Sequence, residues 1–286
     1  MLYLALVSLV WAFSFGLIGN TLAGVDPFFV ASVRLGCASL LFLPFFRPNL
    51  LLPLDCFRLL AYGFVQFGLM YVAYMKAYQY LPSHLVALFS LLTPVYVVWI
   101  HNLRNQSFSA RYLLAAILSI VGAAVIKMKG LPSGGFWFGF FLMQLSGIAF
   151  AFGQIAYRDW KQVHTSIDDR SVFALLAMGG AFCAGGFSLF FSDGQLDEIN
   201  LVQWQSILYL GFIASGLGFF LWNKGASRTN PGVLAAFNNA LVPLAMIVSL
   251  FVFGEIGTAS WEAIVRLLIG GVLIAFAVWT AVRKES

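Results

Sequence analysis

Residues 57–79 read FRLLAYGFVQFGLMYVAYMKAYQ. Between Arg58 and Lys76 this stretch carries no formal charge, and its polar groups are Gln66 and a few tyrosine hydroxyls. A helix rises 1.5 Å per residue, so about 20 apolar residues cross a hydrocarbon core roughly 30 Å thick. The stretch therefore predicts a transmembrane helix. Tyr71, Tyr74 and Tyr78 recur at i, i+3 and i+7, with Gln66 two turns earlier. Hydroxyls and an amide turned toward lipid would be costly, so this face is expected to meet protein or a wet cavity.

The rest of the chain has the same character. Its 286 residues are 61% hydrophobic and 9% charged, with a mean hydropathy of +0.91. A soluble domain carries about 25% charged residues, so the bilayer has to be the solvent for most of this surface. Runs of apolar sequence divided by Pro, Gly and charge predict ten spans: 2–22, 28–46, 57–79, 84–102, 110–128, 136–157, 171–191, 203–223, 232–253 and 261–282. The N-terminal run lacks a basic leader and a small-residue cleavage site, and is read as a retained first span.

Charge and cysteine content exclude several classes. The net charge of +5 is not gathered into a basic patch, so nucleic acid is not an expected partner. Cys37, Cys56 and Cys183 are scattered, which predicts neither a disulfide framework nor a metal site. No Gly-rich Lys loop of the Walker type is present, so ATP hydrolysis by this chain is not expected. With the N-terminus placed inside, eleven Lys and Arg fall on inside segments, from Arg47 to Lys284, and three on outside segments, Lys76, Lys127 and Lys129. That bias predicts both termini in the cytoplasm.

The third span also exposes a repeat. Gly68-Leu69 matches Gly216-Leu217 and Lys76 matches Lys224 at an offset of 148, while Pro82 and Pro231, Pro94 and Pro243, and Gly122 and Gly271 lie 149 apart. Ala12-Phe13-Ser14-Phe15-Gly16 resembles Ala149-Phe150-Ala151-Phe152-Gly153 near the start of each half. Five spans per half is odd, so the second half would enter the membrane with opposite polarity. The expected fold is an all-α integral membrane protein with two inverted five-helix repeats, residues 1–130 and 136–286. Such inverted repeats are a frequent construction of secondary transporters.

Trp11-Ala12-Phe13 in the first span, Arg34 in the second, and Asn230-Pro231-Gly232 leading through Ala235-Ala236 and Pro243 to Gly254-Glu255 and Gly270-Gly271 carry a likeness to a known family. The chain resembles the drug/metabolite transporter superfamily, in its EamA-type branch. The first half departs from the pattern, with Asn105-Gln106 where the second has Gly254-Glu255. The resemblance implies a central cavity bounded by helices one, three, four, six, eight and nine. The substrate-binding candidates on those helices are Trp11, Phe15, Gln66, Tyr74, Tyr78, Ser90, Gln154, Trp222, Asn223, Asn238 and Asn239. Ser14, Tyr71, Thr93 and Gln144 lie on the same spans. Aromatic rings would stack on a solute and amides would orient it.

An intramembrane charge needs a partner, water or a function. For Arg34 two readings stay open: it holds an anionic substrate group, or it pairs with polar neighbours at a helix interface. Lys76 and Lys224 read as vestibule cations or as snorkelling anchors. Glu262 and Arg266, at i and i+4, are expected to pair. Ala177, Ala181 and Gly185 predict close packing along the seventh span, and Pro94 and Pro243 predict matched kinks. The function expected is a secondary transporter, read as an exporter, moving a small organic metabolite such as an amino acid or amine across the cytoplasmic membrane by alternating access. The alternatives are an intramembrane enzyme or a passive channel. Catalysis would need a nucleophile beside a base, whereas His84, His101 and His164 all fall near span ends. Expected partners are a small-molecule substrate and the lipid bilayer, with no cofactor; the chain is read as monomeric, with a dimer left open.

Overall fold

The computed structural model describes residues 1–22, 24–81, 86, 89–106, 108–127, 136–192, 199–251 and 261–282. Pro82, His84, Gly254 and Glu255, and the side chains of Phe15 and Lys127, fall outside the description. Among the described residues, ten main helices follow in order. They are α1 (Leu2–Thr21), α2 (Pro27–Phe42), α3 (Pro53–Ala77), α4 (Thr93–Asn105), α5 (Ala110–Lys127), α6 (Phe136–Val163), α7 (Asp169–Phe191), α8 (Leu201–Ser227), α9 (Pro231–Phe251) and α10 (Trp261–Val282). Five stretches, Pro27–Phe45, α3, α6, α7 and α8, are each long and apolar enough to cross a membrane.

Local chemistry sets the helix ends. Asp26 caps α2, its carboxylate accepting from the Phe29 amide at 2.7 Å, and Pro27 follows at the first helical position. Pro53 opens α3 four residues earlier than the apolar run suggested. The expected fourth span is interrupted: a 3-10 turn at Ser90–Leu92 precedes α4, and Pro94, which has no amide hydrogen to donate, stands in its first turn. Pro243 lies inside α9. Asn200 and Gln203 form a reciprocal capping box at the start of α8.

The bundle is apolar outside and polar within. Leu189, Phe190 and Trp137 are at least 75% exposed, whereas Arg34, Gln66, Gln154, Asn223 and Asn239 are almost completely buried. That inversion is what a lipid solvent selects. The chain is an all-α, multi-pass membrane protein.

Ala177 and Ala181 of the expected stripe on the seventh span pack into the core, whereas the close approach of α7 to α3 uses other residues. A Cβ on Gly63 of α3 would collide with the Leu176 carbonyl of α7, one on Gly179 with the Leu60 carbonyl, and one on Gly68 with the Cys183 side chain. The face of α7 toward α3 thus includes Leu176, Gly179 and Cys183, while the space beside Gly185 is open to 4 Å. Both α3 and α8 contain a π-helical segment, Phe64–Leu69 and Leu210–Leu217. These wider turns contain the matched Gly68-Leu69 and Gly216-Leu217, and such turns concentrate at functional sites.

One end of the bundle gathers the starts of α1 and α9 and the ends of α8 and α10. There Arg228 donates to the Tyr3 hydroxyl at 3.4 Å and Asn230 to the Ala281 carbonyl at 2.8 Å. Arg104 pairs with Asp159 at 2.8 Å, Arg158 donates to the Thr229 carbonyl at 3.0 Å, and Trp160 donates to Asp55 at 2.9 Å. The core behind them, including Leu4, Val7, Val97, Ile155 and Leu234, is fully buried. Among the described residues this end is tied together over a packed core. Glu262 and Arg266 pair at 2.5 Å on α10, as their spacing predicts.

Candidate functional site

A cavity of about 150 Å³ opens among α1, α2, α3, α4, α6, α8 and α9. By the same measure a single water needs only about 10–15 Å³, so the space suits a small organic molecule. It sits above the packed end, and Trp11 and Trp222 form its floor. Their rings stack at 5.0 Å with 28° between planes. Phe219 meets Trp11 edge-on at 5.6 Å, and Phe150 lies 5.8 Å from Trp222. Such offset and edge-on pairs are the favoured aromatic geometries.

Trp11 also explains itself structurally. Its indole Nε1 donates to the Ala214 carbonyl at 2.8 Å, inside the π segment of α8. A π turn disrupts the regular backbone ladder, and Trp11 supplies a donor from another helix. Gly218 permits this approach, because a Cβ there would stand 2.8 Å from Nε1.

The polar candidates divide into two groups. Trp11, Tyr74, Ser90, Trp222 and Asn238 line the cavity. Gln66, Gln154, Asn223 and Asn239 stand behind its wall. Gln66 and Asn223 form a reciprocal amide pair between α3 and α8, at 2.7 and 3.2 Å. Gln154 accepts from the Trp222 indole at 2.8 Å and so fixes the plane of that ring. Asn239 donates to the Leu91 carbonyl at 3.2 Å and to the Ser119 hydroxyl at 3.3 Å. Tyr78 stays outside the lining and shares a 2.8 Å hydrogen bond with the Tyr74 hydroxyl. Phe15 belongs to the side chains outside the description.

The lining also includes residues absent from the candidate set: Ser8, Met143, Ser146, Gly147, Phe150, Phe219 and Phe237. Helical spacing was the available signal. Met143, Gly147 and Phe150 lie on the face of α6 that also carries Gln154, and Phe219 precedes Trp222 by three residues. Gly147 lets α4 come near, since a Cβ would stand 3.1 Å from Thr93 Oγ1.

Arg34 supplies the charge of the described lining. It is 3% exposed. Its Nε donates to Ser215 Oγ at 3.1 Å and its Nη2 to the Tyr71 hydroxyl at 2.6 Å, with the guanidinium 4.7 Å from the centre of the Tyr71 ring. Ser215 lies in the π segment of α8 and Tyr71 just beyond that of α3, so Arg34 bridges both irregular turns. Lys76 and Lys224 lie outside the lining, each over an aromatic ring, Phe28 at 5.6 Å and Tyr3 at 5.4 Å.

Residues 1–128 and 133–277 both match the EamA-like transporter family. The chain belongs to that family. This EamA-like transporter is 35% identical over 281 residues to a probable biotin transporter of Pseudomonas aeruginosa, covering 98% of this chain and 96% of the relative. It is 34% identical over 284 residues to the biotin transporter of Salmonella typhimurium and 32% identical over 283 residues to that of Escherichia coli K12, covering 98% of this chain and 92% of each relative. A crystal structure with 16% sequence identity superposes with a TM-score of 0.78 over 98% of this chain and 96% of the other, which shows the fold. The protein is a membrane transporter of a small molecule, not an enzyme.

Proposed function

We propose that this transporter moves biotin, or a solute of the same size and amphiphilic build, across the cytoplasmic membrane by alternating access. The cavity carries the proposal: an aromatic chamber whose floor is a Trp11–Trp222 stack, one ring from each half of the chain. Aromatic walls suit an apolar ring system, and Ser90, Ser146 and Asn238 offer polar contacts that would orient it. The names of the relatives favour biotin over the amino acids and amines that the family resemblance suggested.

Two inverted halves, residues 1–130 and 136–286, would supply the motion. The double family match and the paired π segments support this reading. Halves of opposite polarity can open to either side by equivalent rocking. The charge bias supports both termini in the cytoplasm.

The test is counterflow of labelled biotin into proteoliposomes preloaded with unlabelled biotin. Saturable accumulation above protein-free vesicles is expected. Folded, reconstituted protein that neither accumulates biotin nor gains thermal stability from it would remove biotin as the substrate.

A further inference from the structure

Arg34 has more hydrogen-bonding capacity than its neighbours use. Its Nη1 is buried and has no acceptor among the described residues. The partners of its other nitrogens, Tyr71 and Ser215, are neutral, and no carboxylate among the described residues pairs with it. Burying a cation without a counter-ion is costly, and hydroxyl dipoles with one ring face offset only part of that cost. The space that Arg34 borders is the cavity itself, where it contributes the charge of the described lining.

We infer that Arg34 binds the carboxylate of a monoanionic substrate. A carboxylate in the cavity would pair with the guanidinium, and Nη1, closed off from the space as the side chain stands, would be brought to it by a small rotation that completes the guanidinium's hydrogen bonding. The remainder of the molecule would then lie against Trp11, Phe150, Phe219 and Trp222. One cation among described lining residues that are otherwise uncharged matches one negative charge. A phosphate dianion would leave excess charge in the same space, so the class selected is a monocarboxylate with an apolar or ring-bearing body. Tyr71 and Ser215 hold the guanidinium in place from α3 and α8, so occupancy of the anion site would be felt by both halves.

This inference rests on the transporter reading, and the experiment separates the two. Binding to purified full-length protein is measured by calorimetry for two matched pairs, biotin with its primary amide and 5-phenylpentanoate with 5-phenylpentanamide. A charge-assisted hydrogen bond predicts that at least one acid binds roughly 10- to 100-fold more tightly than its amide. In Arg34→Gln that preference collapses to within about twofold, and Arg34→Lys, which keeps the charge, restores part of it. Should Arg34→Gln fail to fold, the wild-type acid-to-amide ratios still decide. Equal affinities within each pair, or no binding of either acid, overturn the anion site. Biotin that binds while neither acid is preferred over its amide leaves the biotin proposal standing without the anion site. Arg34-dependent binding of phenylpentanoate without biotin does the reverse.

Discussion

Replacing Gln66 with leucine should destabilise the bundle through Asn223, on a helix far away in sequence. The two amides are 0% and 1% exposed and exchange hydrogen bonds of 2.7 and 3.2 Å between α3 and α8. Gly153 of α6 packs directly on the Gln66 stem, where a Cβ would collide with it, so the amide has little freedom to find another partner. Gln66→Leu leaves an Asn223 donor and acceptor unmade in a dry site, at a cost of about 2 kcal/mol. Asn223→Leu should cost a similar amount by stranding Gln66. Removing both leaves no orphan, so the double variant should lose about 2 kcal/mol, no more than either single one. The resulting coupling of about 2 kcal/mol lies at the upper end of the range seen for interhelical hydrogen bonds in membranes. Reversible unfolding of the four proteins in mixed micelles, followed by circular dichroism, measures it. Single losses that add to within about 0.3 kcal/mol would refute the pairing.

Three further outcomes follow from the packing. Gly63→Ala drives a methyl into the Leu176 carbonyl and should cost about 3 kcal/mol or prevent folding, whereas Gly185→Ala, with open space around it, should change stability by less than about 0.5 kcal/mol; thermal unfolding compares the two, and equal effects would contradict the α3–α7 contact. Trp11→Phe keeps an aromatic floor but strands the Ala214 carbonyl, so a loss of about 1 kcal/mol in stability is expected together with weaker biotin binding, read by thermal shift with and without ligand. Pro243→Ala returns a backbone donor to α9 opposite the Asn239 carbonyl; if this position is a hinge, turnover should fall while biotin affinity stays within about twofold, and unchanged counterflow rates would dismiss that role.

Much of this protein is legible along the chain because hydropathy is a one-dimensional property. The helix order, the Pro- and Asn-marked starts of α2 and α9 and the Glu262–Arg266 pair depend on neighbours within a few residues and stand where the sequence places them, whereas α3 opens four residues early and the fourth span is broken at Ser90–Leu92. The composition of the interior was legible too, because a polar residue inside a span has few alternatives to facing protein. What it faces is a different question. Gln66 meets Asn223 across 157 residues and Arg34 meets Ser215 across 181. Whether an amide turns to a cavity or to another amide depends on helix rotation, and a turn of 100° per residue separates the two. Only the packed bundle decided that Gln66, Gln154, Asn223 and Asn239 brace the wall while Trp11, Trp222 and Asn238 line it. The same holds for α3 against α7, where Gly63 and Gly179 take the close approach because backbone carbonyls of the facing helix occupy the space a methyl would need.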